Sequence, residues 1–123
     1  IFCLTDMWKA IRIHTIRARC WHLKSIDIPD NVTEIGFAAF SECSSLKSID
    51  IPDSVTEIGD FAFSGCECVE IINIPDSVTE IGDCTFRKCK SIEIIDIPNG
   101  VTKIGNEAFS ESSSLKSIDI PTV

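Results

Sequence analysis

The stretch Leu46–Cys66, LKSIDIPDSVTEIGDFAFSGC, decides the fold because it returns along the chain almost unchanged. Its first position recurs every 23 residues, as Leu23, Leu46, Val69, Ile92 and Leu115. All five prolines share a second recurring position, and four of the six glycines and four of the seven phenylalanines share two more. A fixed period of this length is typical of a solenoid, in which each repeat buries its apolar side chains against its neighbours.

The period divides the chain into a leader and an array. We assign residues 1–22 to an atypical basic leader and residues 23–123 to the array. The predicted repeats are 23–45, 46–68, 69–91 and 92–114, with a partial repeat at 115–123. In the leader only Cys20 keeps the phase of the array. We expect the leader to be a degenerate repeat or N-terminal cap, because solenoids need capped ends for solubility; an unrelated leader is the alternative.

Each part of the repeat predicts a local structure. The LxxIxIP part places Ile26 and Ile28 two residues apart, on the buried face of a short strand that Pro29 ends. The VTEIG part predicts extended backbone with its Val and Ile turned inward, followed by a glycine turn. The AFSxC part is short and apolar, which favours one helical or 3₁₀ turn that buries Phe40. We therefore predict a β-rich α/β repeat, with a parallel sheet on one side and short helical turns on the other.

The consensus LxxIxIPxSVTEIGxxAFxxC resembles the BspA-like leucine-rich repeats, a 23-residue class, and the resemblance covers residues 23–123. It implies a right-handed superhelix with a concave parallel sheet and a convex side of short helical or 3₁₀ turns. It also implies a surface or secreted protein that adheres to a protein partner, such as a host or matrix protein, without catalysis or cofactor.

Charge is distributed unevenly between the two parts of the chain. The net charge is −8; the leader holds four basic side chains against one acidic, and the array holds seven against 18. The array therefore repels nucleic acid and anionic membrane and favours basic partners. No apolar run is long enough to span a bilayer, so we expect no membrane insertion. We expect a monomer that is part of a longer chain.

The seven cysteines predict neither a disulfide framework nor a metal site. Four of them share one repeat position that Ser112 completes: Cys20, Cys43, Cys66 and Cys89. Parallel rungs point these side chains the same way, which favours a ladder of buried thiols over bridges. Cys3, Cys68 and Cys84 lie off the ladder, and we expect them to stay free. The spacings also do not match the Cys pairs of structural zinc.

Nothing in the sequence indicates catalysis. Both histidines lie in the leader, and no base stands beside the many serines of the repeat. We therefore predict no catalytic residue, no metal ligand and no cofactor. The motif Asn31–Thr33 (NVT) matches an N-glycosylation sequon. Replacement of the usual Ser of DSVT by Asn is the simpler explanation of that motif.

Candidate binding residues flank the first isoleucine of each predicted strand, facing the concave side where solenoids meet ligands. One series is mostly serine and the other mostly aspartate, but the third and fourth repeats depart from both. The candidate residues are Asp27, Asp50, Glu70, Ile71, Asn73, Glu93, Ile94 and Asp96. Ile71 and Ile94 replace serine, so we expect an exposed apolar pair with an acidic rim, a combination typical of partner sites.

Two functions remain open from the sequence. The first is a non-enzymatic protein-interaction or adhesion module that binds through the concave face. The second is a structural spacer that displays another domain and has no ligand. A spacer needs uniform surface positions, whereas a binder varies there while its core stays constant. The departures at Ile71, Asn73 and Ile94 favour binding.

Overall fold

The computed structural model describes residues 12–13 and 22–119. Its strands are β1 (Arg12–Ile13), β2 (Glu34–Ile35), β3 (Ser48–Asp50), β4 (Glu57–Ile58), β5 (Ile71–Asn73), β6 (Glu80–Ile81), β7 (Ile94–Asp96), β8 (Lys103–Ile104) and β9 (Ser117–Asp119). All strand pairs are parallel, and successive repeats stack as rungs. The protein is a leucine-rich repeat solenoid with parallel strands, as the sequence predicts.

The longest ladder of paired strands comes from the VTEIG part of the repeat, for which the sequence predicts only extended backbone. We call it the TEIG ladder. It runs in the order β1-β2-β4-β6-β8. Ile35, Ile58 and Ile81 stand directly above one another in it, and all three are buried. At the N-terminal end, Ile13 pairs with Ile35, so this rung is 22 residues long rather than 23. The role of residues 1–22 as a cap or an unrelated leader stays a prediction.

The LxxIxIP part forms a second row of strands, which is divided into the pairs β3-β5 and β7-β9. In β3, β5 and β7 the pattern is exposed, buried, exposed, with Ile49, Ile72 and Ile95 on the inside, whereas Ile118 of β9 is 36% exposed. This alternation confirms the buried face that the sequence predicts for these three strands. In the first repeat the prediction of a strand is wrong: Ile28 is buried, but residues 25–27 form no strand.

The core is a column of identical residues stacked rung on rung. The rings of Phe40, Phe63 and Phe86 are fully buried and nearly parallel. Their centroids are 5.5 and 5.7 Å apart, and Phe109 continues the column at 5.7 Å. Each rung therefore supplies the surface that buries the next, because no single repeat encloses its own phenylalanine.

The predicted helical or 3₁₀ turns on the convex side are not found: the described residues contain no helix. In the first repeat, Ala38 and Glu42 have left-handed backbone, with φ of 53° and 64°, which a right-handed helix excludes. The N–H groups of Ala38, Phe40 and Glu42 donate to carbonyls of the next rung at 2.9, 2.8 and 2.7 Å. Those donors are therefore not available to close helical turns, and the segment is a run of tight turns linked to its neighbour.

The recurring glycine is required by close approach between rungs rather than by a left-handed turn. A Cβ atom on Gly82 would lie 2.6 Å from the backbone nitrogen of Asp60 and 2.7 Å from the carbonyl carbon of Gly59. A Cβ atom on Gly105 would meet Asp83 and Gly82 in the same way. Glycine at this position lets successive TEIG strands turn the corner in contact with one another.

Candidate functional site

Ile71 and Ile94 are among the most exposed large apolar side chains of the described residues. They are 57% and 59% exposed, at the first position of β5 and β7. Their neighbours inside the same strands, Ile72 and Ile95, are 8% and 2% exposed. Each strand therefore buries one isoleucine and presents another to solvent. We call the first and third positions of β3, β5 and β7, together with Ser117 of β9, the candidate face.

A surface depression of about 580 Å³ lies between β5 and β7. It is lined by Glu70, Ile71, Ile72, Asn73, Ser91, Glu93, Ile94 and Asp96. The structure thus brings six of the eight candidate residues around one depression. Asp50 lies one strand away, opposite Asn73, and Asp27 lies in no strand. Ile72 and Ser91 complete the lining, and neither is recognisable from the sequence because neither departs from its repeat position.

The depression coincides with a break in the backbone hydrogen bonding of this row. On one side, Glu70 N–H donates to Lys47 O at 2.9 Å; on the other, Lys116 N–H donates to Glu93 O at 2.8 Å. Between them, within the described range 22–119, no backbone hydrogen bond joins Glu93 N–H to Glu70 O, and β5 and β7 belong to separate sheets. We call this break between β5 and β7 the seam.

Like charge alone does not explain the seam. Glu70 and Glu93 stand at equivalent positions on adjacent rungs, where repulsion between stacked carboxylates disfavours pairing. Lys24 and Lys47 are also alike, yet Lys47 N–H still donates to Lys24 O at 3.0 Å. The seam differs from that interface in carrying two exposed isoleucines beside the like-charged pair.

Glu93 forms an ion pair with Lys116, which precedes β9, the strand that pairs with β7 on the side away from the seam. Lys116 Nζ lies 2.8 Å from Glu93 Oε1, and both side chains are exposed. The hydrogen bond and charge of Lys116 lower the pKa of the Glu93 carboxyl, and the same contact raises the pKa of Lys116. Both groups are therefore charged at neutral pH. The lining of the depression contains three carboxylates and no basic side chain.

A second acidic depression, of about 280 Å³, lies on the TEIG ladder. Its lining includes Glu34, Glu57, Glu80, Asp60, Asp83 and Lys103. Here Asp60 Oδ1 accepts the N–H of Asp83 at 2.8 Å, and Asp83 Oδ1 accepts the N–H of Asn106 at 2.7 Å. Its aspartates thus hold one rung to the next, and its isoleucines Ile58 and Ile81 are buried.

The cysteine ladder is confirmed in part. Cys66 Sγ donates to Phe40 O at 3.2 Å, Cys89 Sγ donates to Phe63 O at 3.4 Å, and Ser112 Oγ makes the same bond to Phe86 O at 2.8 Å. Burial raises the pKa of the Cys66 thiol, and raises that of Cys89 to about 12. Both thiols are free, as are Cys68 and Cys84.

At Cys43 the prediction of a free thiol is wrong, because this residue is disulfide-bonded. The predicted ladder of thiols applies between rungs of the regular 23-residue period, and Cys43 lies in the first repeat, next to a rung of 22 residues. Cys3 and Cys20 lie outside the described residues.

The remaining features considered from the sequence are metal binding, membrane insertion and the glycosylation motif. Among residues 12–13 and 22–119, no group of three or more potential ligands is placed to hold a metal ion. The same residues include no helix with the length and apolar character to cross a membrane. Asn31 of the sequon lies exposed in a turn.

Residues 14–123 match the model of the BspA type leucine-rich repeat region, in six copies. A leucine-rich repeat protein from Bacteroides ovatus is 38% identical, with a TM-score of 0.63, over 79% of this chain and 33% of that one. The pneumococcal vaccine antigen PcpA is 25% identical, with a TM-score of 0.76, over 80% of this chain and 24% of that one.

A leucine-rich cell surface protein from Faecalibacterium prausnitzii is 29% identical, with a TM-score of 0.73, over 81% of this chain and 32% of that one. The chain therefore spans about a third or less of the length of these three proteins. No curated protein matches it.

Proposed function

The chain belongs to the BspA-type leucine-rich repeat family, and we propose that it is a non-catalytic adhesion module that binds a protein partner through the candidate face. One observation carries the proposal. Ile71 and Ile94 are 57% and 59% exposed on adjacent strands, at positions that hold serine in the other repeats. Exposed apolar pairs with a polar rim are typical of interaction sites, because covering them removes apolar surface from water.

In β5 and β7 the change from serine falls on exposed positions, which favours a binder over a spacer. Ile72 and Ile95 keep the core identity of their repeats, while the residues just before them change from serine to isoleucine. An exposed isoleucine leaves apolar surface in water and lowers solubility. A spacer gains nothing from that change, whereas an interface gains a hydrophobic centre.

A surface or secreted location supports this role. Two of the similar proteins are a cell surface protein and a vaccine antigen. We propose that this chain is likewise displayed outside the cell, as a segment of a longer protein. Its partner would be a host or matrix protein.

The test is adhesion of beads coated with the chain to immobilised fibronectin, laminin and collagen, and to cultured epithelial cells. The variant Ile71→Ser/Ile94→Ser restores the serine of the other repeats, so the fold is expected to tolerate it. Phe37→Asp is the matched control, since Phe37 is 62% exposed in a turn outside the candidate face and aspartate occupies its position in two other repeats.

We expect the double serine variant to lose adhesion by roughly tenfold or more, the effect of truncating a central apolar contact. The control is expected to adhere like the unmodified chain. Equal adhesion by all three proteins, or no adhesion to any surface, would contradict the proposal. The second result would favour the spacer, which has no ligand of its own.

A further inference from the structure

We infer that the depression at the seam takes an extended peptide segment of a partner in which two cationic residues flank an aliphatic one, in the pattern Lys-x-Leu-x-Lys or its arginine equivalent. The inference deepens the proposed function, on which it depends, by naming the chemistry of the partner. Three features of the seam lead to it: the order of side chains along the strands, the charge of the lining and the missing backbone bonds.

The order of side chains along the strands sets the pattern. Ile71 and Ile94 form the apolar centre; Asn73 and Asp96 follow two residues later, and Glu70 and Glu93 come just before. Residues two apart on an extended chain share a face and lie about 6.6 Å apart, which matches Asn73 and Asp96 to alternate residues of a bound peptide. Glu70 and Glu93 lie one residue before the isoleucines, outside the strands, and still line the depression. A peptide lying along the seam thus places its central leucine on the isoleucines and its outer residues at the two polar ends.

The charge of the lining selects cations for those outer positions. Glu70, Glu93 and Asp96 contribute carboxylates, and the lining contains no basic side chain. Glu93 already holds Lys116 at 2.8 Å, which leaves Glu70 and Asp96 as the charges available to a ligand. The array as a whole is strongly acidic, which adds a long-range attraction for a basic segment.

The missing bonds make backbone groups available at the same place. Within residues 22–119, every other pair of neighbouring repeats has a backbone bond at this position, such as the one from Glu70 N–H to Lys47 O, but Glu93 N–H makes none to Glu70 O. A peptide laid along the seam can offer its own N–H and C=O groups there, as strands do when they extend an exposed sheet edge. The acidic depression on the TEIG ladder lacks this combination, because its isoleucines are buried and Lys103 lies in its lining.

The test is a titration of the chain with the peptide acetyl-GKSLSKG-amide, followed by calorimetry or by NMR. Two further peptides separate the contributions, one with both lysines replaced by glutamate and one with the leucine replaced by serine. Glu70→Lys is the informative variant, since lysine occupies that position in three other repeats. Glu80→Lys is the control with the same charge change, at a position where the last repeat has Lys103.

We expect the lysine-leucine peptide to bind, and both altered peptides to bind at least fivefold more weakly. Glu70→Lys is expected to weaken binding by roughly fivefold, the effect of turning an exposed attraction into a repulsion, and Glu80→Lys by less than twofold. Thermal unfolding of both variants checks that they are folded. The inference is overturned if the glutamate peptide binds equally well, or if Glu80→Lys weakens binding as much as Glu70→Lys does.

The outcomes also separate this inference from the proposed function. If adhesion requires Ile71 and Ile94 but is insensitive to Glu70→Lys and to peptide charge, the inference fails and the proposed function stands. If the peptide binds at the seam but adhesion ignores both isoleucines, the proposed function fails.

Discussion

Replacing Phe63 by alanine tests whether stacked rungs supply the stability of this protein. Phe63 is fully buried, with Phe40 at 5.5 Å on one side and Phe86 at 5.7 Å on the other. Removing a buried phenylalanine typically costs about 3–5 kcal/mol, because transfer energy is lost and a cavity remains. For Phe63→Ala, which loses two ring contacts, we expect a cost of about 4 kcal/mol.

Phe109→Ala is the matched comparison, since it is the same substitution at the same repeat position. Phe109 is only half-buried and has one described ring neighbour, Phe86 at 5.7 Å. Its loss is therefore expected to cost about 2 kcal/mol, roughly half as much.

Urea unfolding followed by far-ultraviolet circular dichroism measures both variants. With a slope of about 1.5 kcal/mol per molar urea, the midpoint of Phe63→Ala should fall more than about 1 M below that of Phe109→Ala. Equal midpoints would refute the reasoning, because they would show that the neighbouring rungs do not determine what each phenylalanine contributes.

Three further predictions follow from other contacts. Gly82→Ala should lower the free energy of unfolding by about 2 kcal/mol in the same urea assay, because its Cβ would lie 2.6 Å from the backbone nitrogen of Asp60; unchanged stability would contradict the close-approach argument. Burial raises the pKa of the Cys89 thiol from 9.0 to about 12. The protonated thiol therefore adds its full contribution to the free energy of unfolding below pH 9, and that contribution is lost as pH rises from 9 to 12. Urea unfolding across that range should show a loss that Cys89→Ser reduces, and an identical pH profile for the variant would contradict this. Lys116→Ala should raise the pKa of Glu93, measured by NMR titration of its side chain, because Lys116 lowers it; an unchanged pKa would rule out the ion pair in solution.

The residues that recur in every repeat predict the core well, because each of them packs against its equivalents in the two neighbouring rungs. Ile49, Ile72 and Phe63 are buried where the 23-residue period places them. The same reasoning fails for the AFSxC segment. Its composition favours a helical turn, but its N–H groups donate to the next rung, and such inter-rung bonding does not show in the local sequence.

The candidate site is predictable only in part. The exposed isoleucines and their acidic neighbours are visible as departures from the consensus, and the structure gathers most of them around one depression. The seam is not visible, since it is an absence of backbone bonds between Glu70 and Glu93 rather than a residue pattern. The disulfide of Cys43 is also not visible in the sequence, because the regular period predicts equivalent thiols at this position and the 22-residue rung shows only in the strand register.

The repeated residues of this chain stabilise the stack of rungs, and we propose that the residues that depart from the repeat at the seam bind the partner. NMR of the isotopically labelled chain, titrated with the acetyl-GKSLSKG-amide peptide, tests this division by locating every perturbed backbone amide. The shifts are expected to concentrate in residues 70–73 and 91–96, on both sides of the seam. Shifts centred on Glu57, Glu80 and Asp60, in the acidic depression of the TEIG ladder, would contradict it.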